Sequence, residues 1–382
     1  MSAVLNREHP FVGPPECSAA LRTAVAARAR AELLPQVVAI DVDGTYPGDF
    51  LRRLGIERLY GAAVSAERGG LGLGLHGLIE GMSEVSRVCG ATGFMVWCQS
   101  ALVWYLENTP NAALRERLQR RVIEGTELGG TGLSNLMKSV ADIEELKLRA
   151  QRVEGGYCVN GVLPWVSNLG DGHWFAAGCR MDDGGRVLPL FRCGEGGVQI
   201  RTGGHFVALE GTGTFACHFK DVFVSDADVL AHPGQFDAFI ACIKPGFIMM
   251  QTGIALGLIE DCIAIIRQSG LTHAHVNQYL DVQADELQAQ YDAARSTTLD
   301  LARRISEGRP FSRKEVLSCR VLGSELSLKA SMAAMLHTGA KGYLTRNPAQ
   351  RRVREAIFVA IVTPAIKHLR KELAALEASP VH

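Results

Sequence analysis

The spacing of apolar residues in this chain changes period twice. From Cys17 to about Thr126 they recur at helical intervals, broken by Asp43-Gly44, Gly69-Gly70 and Asn108-Thr109-Pro110. From about Glu127 the pattern becomes short alternating runs punctuated by Gly155-Gly156, Asp183-Gly184-Gly185 and Gly194-Glu195-Gly196-Gly197, which are hairpin signals. Beyond Pro233 the helical period returns in four long stretches: Phe236 to Gln268, His275 to Glu307, Ser312 to His337 and Ala349 to Ala378. Helices and strands bury different residue spacings, so one continuous layer cannot satisfy all three stretches. The expected fold is mainly α with a central β-domain. Its parts are an N-terminal α-helical domain over 1–126, a middle β-barrel-like domain over 127–235 and a C-terminal four-helix bundle over 236–382. A chain of 382 residues is long for a single core, and 47% hydrophobic residues supply ample burial for several units.

Charge and cysteine usage remove several function classes. Lys plus Arg equals Asp plus Glu at 40 each, which leaves no broad basic surface for nucleic acid. Ten cysteines lie singly, without CxxC pairs, and read as buried thiols in a reducing cytoplasm. Arg22, Arg28 and Arg30 interrupt the Ala-rich amino-terminal run, which therefore reads as a surface helix and not a signal peptide. The most apolar stretch, Gly246 to Ile259, is shorter than the roughly 20 residues a membrane span needs. It reads as a buried bundle helix in a cytoplasmic protein.

The segment most suggestive of chemistry is Trp165-Val166-Ser167-Asn168. Upstream lies Gly155-Gly156-Tyr157-Cys158-Val159-Asn160-Gly161, read as a turn, a strand and a second turn. Alternation along a strand places Trp165 and Ser167 on one face, where an indole can cover a flat conjugated ring and a hydroxyl can orient it. An ordinary core tryptophan is the competing reading. Three further motifs read as structural. Gly72-Leu73-Gly74-Leu75-His76-Gly77 satisfies GxGxxG but lacks a preceding strand and a following acidic residue, so it reads as a loop entering a helix. His273 and His275 have no clustered third ligand; they are expected in a loop before a helix, and no metal is assigned. Gly211-Thr212-Gly213-Thr214 reads as a Gly-rich turn before a strand.

The order of "GGYCVNG", "WVSN", "WFAAGCR", "FKDVFVSDADVL" and "GYLTRNPAQRRVREA" closely resembles the acyl-CoA dehydrogenase superfamily. The stretch "YPGDFLRRLGIERLYGAAVSAERGGLGLGL" adds to it, and the resemblance extends from about Tyr46 to Arg370. It implies a flavoprotein in which Trp165, Val166 and Ser167 lie against the flavin ring, with the hydroxyl toward the reactive N5 edge. Asn135 stands where a threonine normally contacts the flavin and is expected to hydrogen-bond it. Gly211-Thr212-Gly213-Thr214 lies where the family's dehydrogenases often carry an S-x-T turn near the flavin and its monooxygenases T-G-S, a marker that does not decide the reaction. The resemblance also implies FAD, a homo-oligomer (tetramer or dimer), and an electron-transfer partner or a flavin reductase.

Departures from the family pattern bear on the reaction. A dehydrogenase of this family removes an α-proton with a glutamate while hydride leaves for flavin N5, and a positioned base of this kind contributes about 10² to 10⁴ in rate. At the usual place of that glutamate this chain has Thr363, and at the alternative place, on the first bundle helix, Phe247. Glu260 lies about 13 residues further along that helix, roughly 20 Å at 1.5 Å per residue. The family's T-E-P-x-x-G-S-D loop is replaced by Asn135-Leu136-Met137-Lys138-Ser139-Val140-Ala141-Asp142. Gln268-Ser269-Gly270-Leu271-Thr272 replaces the segment that holds the adenosine of FAD, which leaves FMN open as the cofactor.

The expected function is a flavin-dependent oxidoreductase that oxidises an acyl thioester or related small substrate by hydride transfer to flavin N5. The first alternative is a monooxygenase on the same fold using reduced flavin and O2. The second is a non-catalytic flavin- or acyl-binding subunit of a hetero-oligomer. No catalytic residue is assigned, and Thr363 marks the expected base position.

Overall fold

The computed structural model describes residues 15–194 and 197–378. The middle of the expected Gly194–Gly197 turn, Glu195-Gly196, lies outside the described residues, as do the two ends of the expected terminal domains.

The amino-terminal section is helical: α1 (Pro15–Arg28), α2 (Val37–Val42), α3 (Gly48–Ile56), α4 (Gly74–Val88), α5 (Gly90–Asn108) and α6 (Ala112–Ile123). A section with nine strands among the described residues follows, β1 (Gly129–Thr131), β2 (Leu148–Val153), β3 (Gly156–Val166), β4 (Trp174–Ala176), β5 (Cys179–Arg180), β6 (Arg186–Arg192), β7 (Val198–Thr202), β8 (Phe215–Ser225) and β9 (Val229–Ala231). One helix, α7 (Leu133–Val140), interrupts it after β1. The chain then returns to helices: α8 (Phe236–Met250), α9 (Thr252–Asn277), α10 (Ala284–Ser306), α11 (Arg313–Thr338), α12 (Pro348–Ile361) and α13 (Ile366–Ala378). The fold is thus mainly helical around a central curled sheet, as the alternation of periods predicts.

The sheet runs β1-β4-β6-β5-β2-β3-β8-β7, with β9 paired to β6. It curls enough that Thr131, at the end of the β1 edge, bridges Ser167 just beyond β3. The inner face holds a separate apolar cluster including Val159, Leu163, Val166, Phe175, Phe191 and Phe219. A larger core joins the helices at both ends of the chain, with Met82, Met95, Trp104, Phe247, Ile254 and Leu258 among its members.

Several local expectations are revised. Asn160-Gly161 is a bulge within one continuous strand, β3, where the register against β8 shifts, and not a second turn. Gly161 has φ +136°, and a Cβ there would lie 2.6 Å from the Lys147 carbonyl oxygen, so a larger residue does not fit the kink. The first expected bundle helix is divided at Gln251 into α8 and α9, and the last at Val362–Ala365 into α12 and α13. The second division is the effect of Pro364, which disfavours helical backbone at the residue before it. The run Phe236–Asn277 is long and apolar enough to cross a membrane, but 78% of its most apolar window is buried inside the protein. His273, non-helical at φ −124°, kinks α9 near its end and His275 lies in its last turn, so the pair is not in a loop before a helix.

The GxGxxG motif behaves as a loop entering a helix. Gly72 and Gly74 have φ of 64° and 70°, and α4 begins at Gly74. A Cβ on Gly74 would meet Ser306 at 2.7 Å, and the Ser306 hydroxyl accepts the Leu75 N–H at 2.8 Å. The glycine therefore serves the approach of α10, not a phosphate.

A buried ionic seam joins the two helical sections. Arg352 on α12, fully buried, donates to Asp261 on α9 and to Glu355, each at 2.7 Å, and to the Ser86 carbonyl at 3.1 Å. Glu355 also accepts the Gly90 N–H at 2.9 Å, placing a carboxylate at the amino end of α5.

Candidate functional site

Strand β3 ends in an alternation that exposes one face. Val166 is fully buried, whereas Trp165 on the opposite face is 60% exposed. Exposing an indole forfeits most of its burial energy, and an aromatic face beside hydroxyls has the chemistry to take a flat ligand. Ser167 follows on the same face, half-buried, and its hydroxyl lies 2.7 Å from that of Thr214. Thr214 in turn lies 2.8 Å from the Thr212 hydroxyl.

Asn168 locks this strand end in place. It adopts left-handed backbone at φ 61°, which asparagine tolerates better than most residues, and is fully buried. Its side chain donates to the Gly129 carbonyl and accepts from the Tyr46 hydroxyl, both at 2.7 Å. Its backbone N–H donates to the Thr212 carbonyl at 2.9 Å, and its carbonyl meets His173 Nδ1 at 3.0 Å. Burial lowers the His173 pKa, the bond to Asn168 opposing it. Burial likewise raises the Tyr46 phenol, keeping it protonated as the donor. Tyr46 thus couples the amino-terminal helical section to the end of β3.

The expected base position sits nearby. Thr363 is 8% exposed, and its hydroxyl lies 2.8 Å from that of Ser134. Its carbonyl accepts from Gln251 Nε2 at 2.8 Å, and Gln251 Oε1 accepts from Arg320 Nε at 2.8 Å. Among the described residues no carboxylate hydrogen-bonds Thr363 or Ser134. Phe247 is 1% exposed, and its carbonyl accepts the Trp97 indole N–H. Glu260 is occupied by Arg87 and the Tyr291 hydroxyl. Thr131 faces Ser167 and Ser134 touches Thr363, so three residues span the two points, at most about 10 Å.

Asn135 is placed differently from its expectation. The segment around it is helix α7 and not a loop, because Leu136 to Val140 lacks the Pro and Gly of the family's version. Both amide hydrogens of Asn135 are committed, to Glu144 Oε1 at 2.8 Å and to the Glu145 carbonyl at 2.9 Å, and its oxygen accepts the Lys147 N–H. Asn135 braces the turn into β2 and retains no donor for a flavin. The other end of α7 is capped by Lys371 of α13, which donates to the carbonyls of Ala141 and Asp142.

Thr212, Ser134, Gln251 and Arg320 are absent from the expected site residues. The Thr212 turn is marked by the resemblance, and for Ser134, Gln251 and Arg320 the signal in the sequence is a lone glutamine inside the apolar run Gly246 to Ile259.

Sequence models of the acyl-CoA dehydrogenase N-terminal domain and C-terminal domain match residues 15–126 and 244–363, together more than half of the chain. The chain belongs to the acyl-CoA dehydrogenase family. It is 23% identical over 351 residues to a mitochondrial isovaleryl-CoA dehydrogenase of Oryza sativa subsp. japonica, covering 86% of this chain and 83% of that one. The solved structure of butyryl-CoA dehydrogenase from Megasphaera elsdenii superposes with a TM-score of 0.86 at 18% identity, over 96% of this chain and 100% of that one. Dibenzothiophene monooxygenase from Paenibacillus sp. A11-2 superposes with a TM-score of 0.73 at 18% identity, over 95% of each chain. This family member is an acyl-CoA dehydrogenase-like flavoprotein oxidoreductase.

Proposed function

We propose that this family member holds FAD with its ring system against Trp165 and Ser167 and oxidises a small acyl substrate, an acyl-CoA thioester being the favoured class. The observation that carries the reading is the exposed indole of Trp165 beside the Ser167 hydroxyl, on a strand whose opposite face is sealed. The acyl-CoA dehydrogenases among its relatives support the substrate class. When bound, the flavin supplies the hydride acceptor. Trp165 covers one face of the ring, Ser167 orients its edge, and the Ser134–Thr363 pair borders the space for the reacting carbon.

A second reading has its own support. A threonine hydroxyl is no base near neutral pH, so the Ser134–Thr363 pair leaves an α-proton without a carboxylate acceptor. A monooxygenase that takes reduced flavin from a partner reductase and consumes O2 needs no such base, and dibenzothiophene monooxygenase shares the fold. The cytoplasm is the proposed location. A second copy of the chain is the proposed oligomeric partner, covering exposed apolar side chains such as Leu322, Met332 and Leu336 of α11 with Ile357 and Ile361 of α12.

The test begins with the visible spectrum of the purified full chain and identification of any released flavin. Anaerobic titration with a panel of acyl-CoAs follows. Bleaching supports acyl oxidation. Persistent colour, with oxygenated product formed only from reduced flavin and O2, moves the assignment to the monooxygenase. Flavin or acyl binding without turnover of either kind identifies a non-catalytic subunit, and failure to retain FAD or FMN removes the flavin reading.

A further inference from the structure

We propose that a ladder of three hydroxyls holds Ser167 as a hydrogen-bond acceptor, so that this protein binds reduced flavin, with a proton on N5, in preference to oxidised flavin. The inference rests on the proposed seating of the flavin's reacting edge at Ser167, and it deepens that reading.

Each hydroxyl carries one proton. Thr212, 2% exposed, lies 2.7 Å from the Leu209 carbonyl, which can only accept, so the Thr212 proton is committed there. Thr212 Oγ1 must then accept from Thr214 at 2.8 Å, and Thr214 Oγ1 must accept from Ser167 at 2.7 Å. Ser167 ends the ladder with its proton spent inward and its lone pairs turned toward the exposed face. Ser167 can donate outward only at the cost of one bond of the ladder: its own to Thr214, the one between Thr214 and Thr212, or, if every proton turns about, the Thr212 bond to Leu209.

Counting bonds gives the preference. Oxidised flavin has a lone pair at N5. Three hydrogen bonds are the most the ladder and ligand can make with it, whichever way the protons run. Reduced flavin has N–H at N5, and the inward-running ladder then makes four. An isolated serine would make one bond with either form, so the bias comes from the anchor at Leu209. One hydrogen bond corresponds to roughly a tenfold change in an affinity ratio.

The full chain reconstituted with FAD tests this through the flavin midpoint potential and the separate Kd values for FAD and dithionite-reduced FAD. Thr212→Val removes the anchor and frees the other two protons to run outward. The ratio of oxidised to reduced Kd should fall roughly tenfold, a drop in midpoint potential of ~30 mV for a two-electron couple. Thr214→Val, at a less buried position, breaks the ladder one step later and should shift the potential the same way even if Thr212→Val folds poorly. Thr212→Ser should restore the wild-type value. Variants that bind FAD with an unchanged potential and Kd ratio overturn the ladder alone. A wild-type chain that binds neither form overturns the flavin seating and the ladder with it.

Discussion

Two arginines, Arg320 on α11 and Arg352 on α12, are among the most completely buried large side chains of this protein, and their hydrogen-bond donors are satisfied in opposite ways. Arg352 faces the carboxylates of Asp261 and Glu355. Burial works against its charge, but the two acids more than offset it and raise its pKa. Among the described residues Arg320 hydrogen-bonds only neutral groups: Gln251, the Ser324 hydroxyl and the Val359 carbonyl at 2.6 Å. Burial lowers its pKa to about 10. A guanidinium between acids ties helices together, whereas one held by amides and carbonyls sets the geometry of what they belong to. Here that is Gln251 and, through it, the backbone of Thr363. The contrast separates a stabilising seam from a network beside the site.

The largest effect should follow Arg352→Met, which leaves Asp261 and Glu355 buried without their shared partner. Removing one member of a buried ion pair costs about 3–5 kcal/mol. Urea unfolding should show that loss in the transition midpoint. Arg320→Met should cost less, about 1–3 kcal/mol, because it orphans neutral acceptors and also relieves a desolvated charge. Its distinctive result should be faster hydrogen exchange at the amides around Val362 and Ala365. Equal losses for the two variants would erase the distinction. Undisturbed exchange there would detach Arg320 from the site.

The smallest effect concerns pH and sharpens the same contrast with a third buried cation-former. The folded-state pKa of His173 lies below its ordinary 6.5, with burial the main cause. As pH falls through 6.5, the unfolded chain takes up a proton that the folded chain refuses, so His173 contributes a loss of stability on the acid side. His76 and His368 are shifted in the same direction, so the wild-type slope is shared. The slope attributable to His173 is the difference in thermal midpoint between wild type and His173→Gln from pH 7.5 to 5.5. That difference should shrink toward acid pH. A constant difference would mean that His173 titrates as it does in the unfolded chain.

Much of the architecture is legible in the sequence because periodicity is a local property. Apolar spacing marks the helical, strand and helical sections, and Gly155-Gly156 and Asp183-Gly184-Gly185 mark turns that form as read. The misreadings occur where a distant contact decides. Gly161 reads as a turn but sits in a bulge beside Lys147, and Gln251 divides a helix that periodicity shows as one. Asn135 is placed in a loop by comparison with the family's Pro- and Gly-containing motif. The helix-forming residues around it draw it into α7 and turn its amide inward.

By itself the sequence determined the order of helical and strand sections, the alternation that puts Trp165 and Ser167 on one face, and the neutral residue at position 363. Spacing along the chain is enough for each of these. Only the tertiary structure decided which hydroxyls meet, since Ser167 with Thr214 and Ser134 with Thr363 are joined across long stretches of chain. Proton direction in such a ladder is set by its far end, the Leu209 carbonyl, and that acceptor is defined only when the turn carrying it is folded against β3.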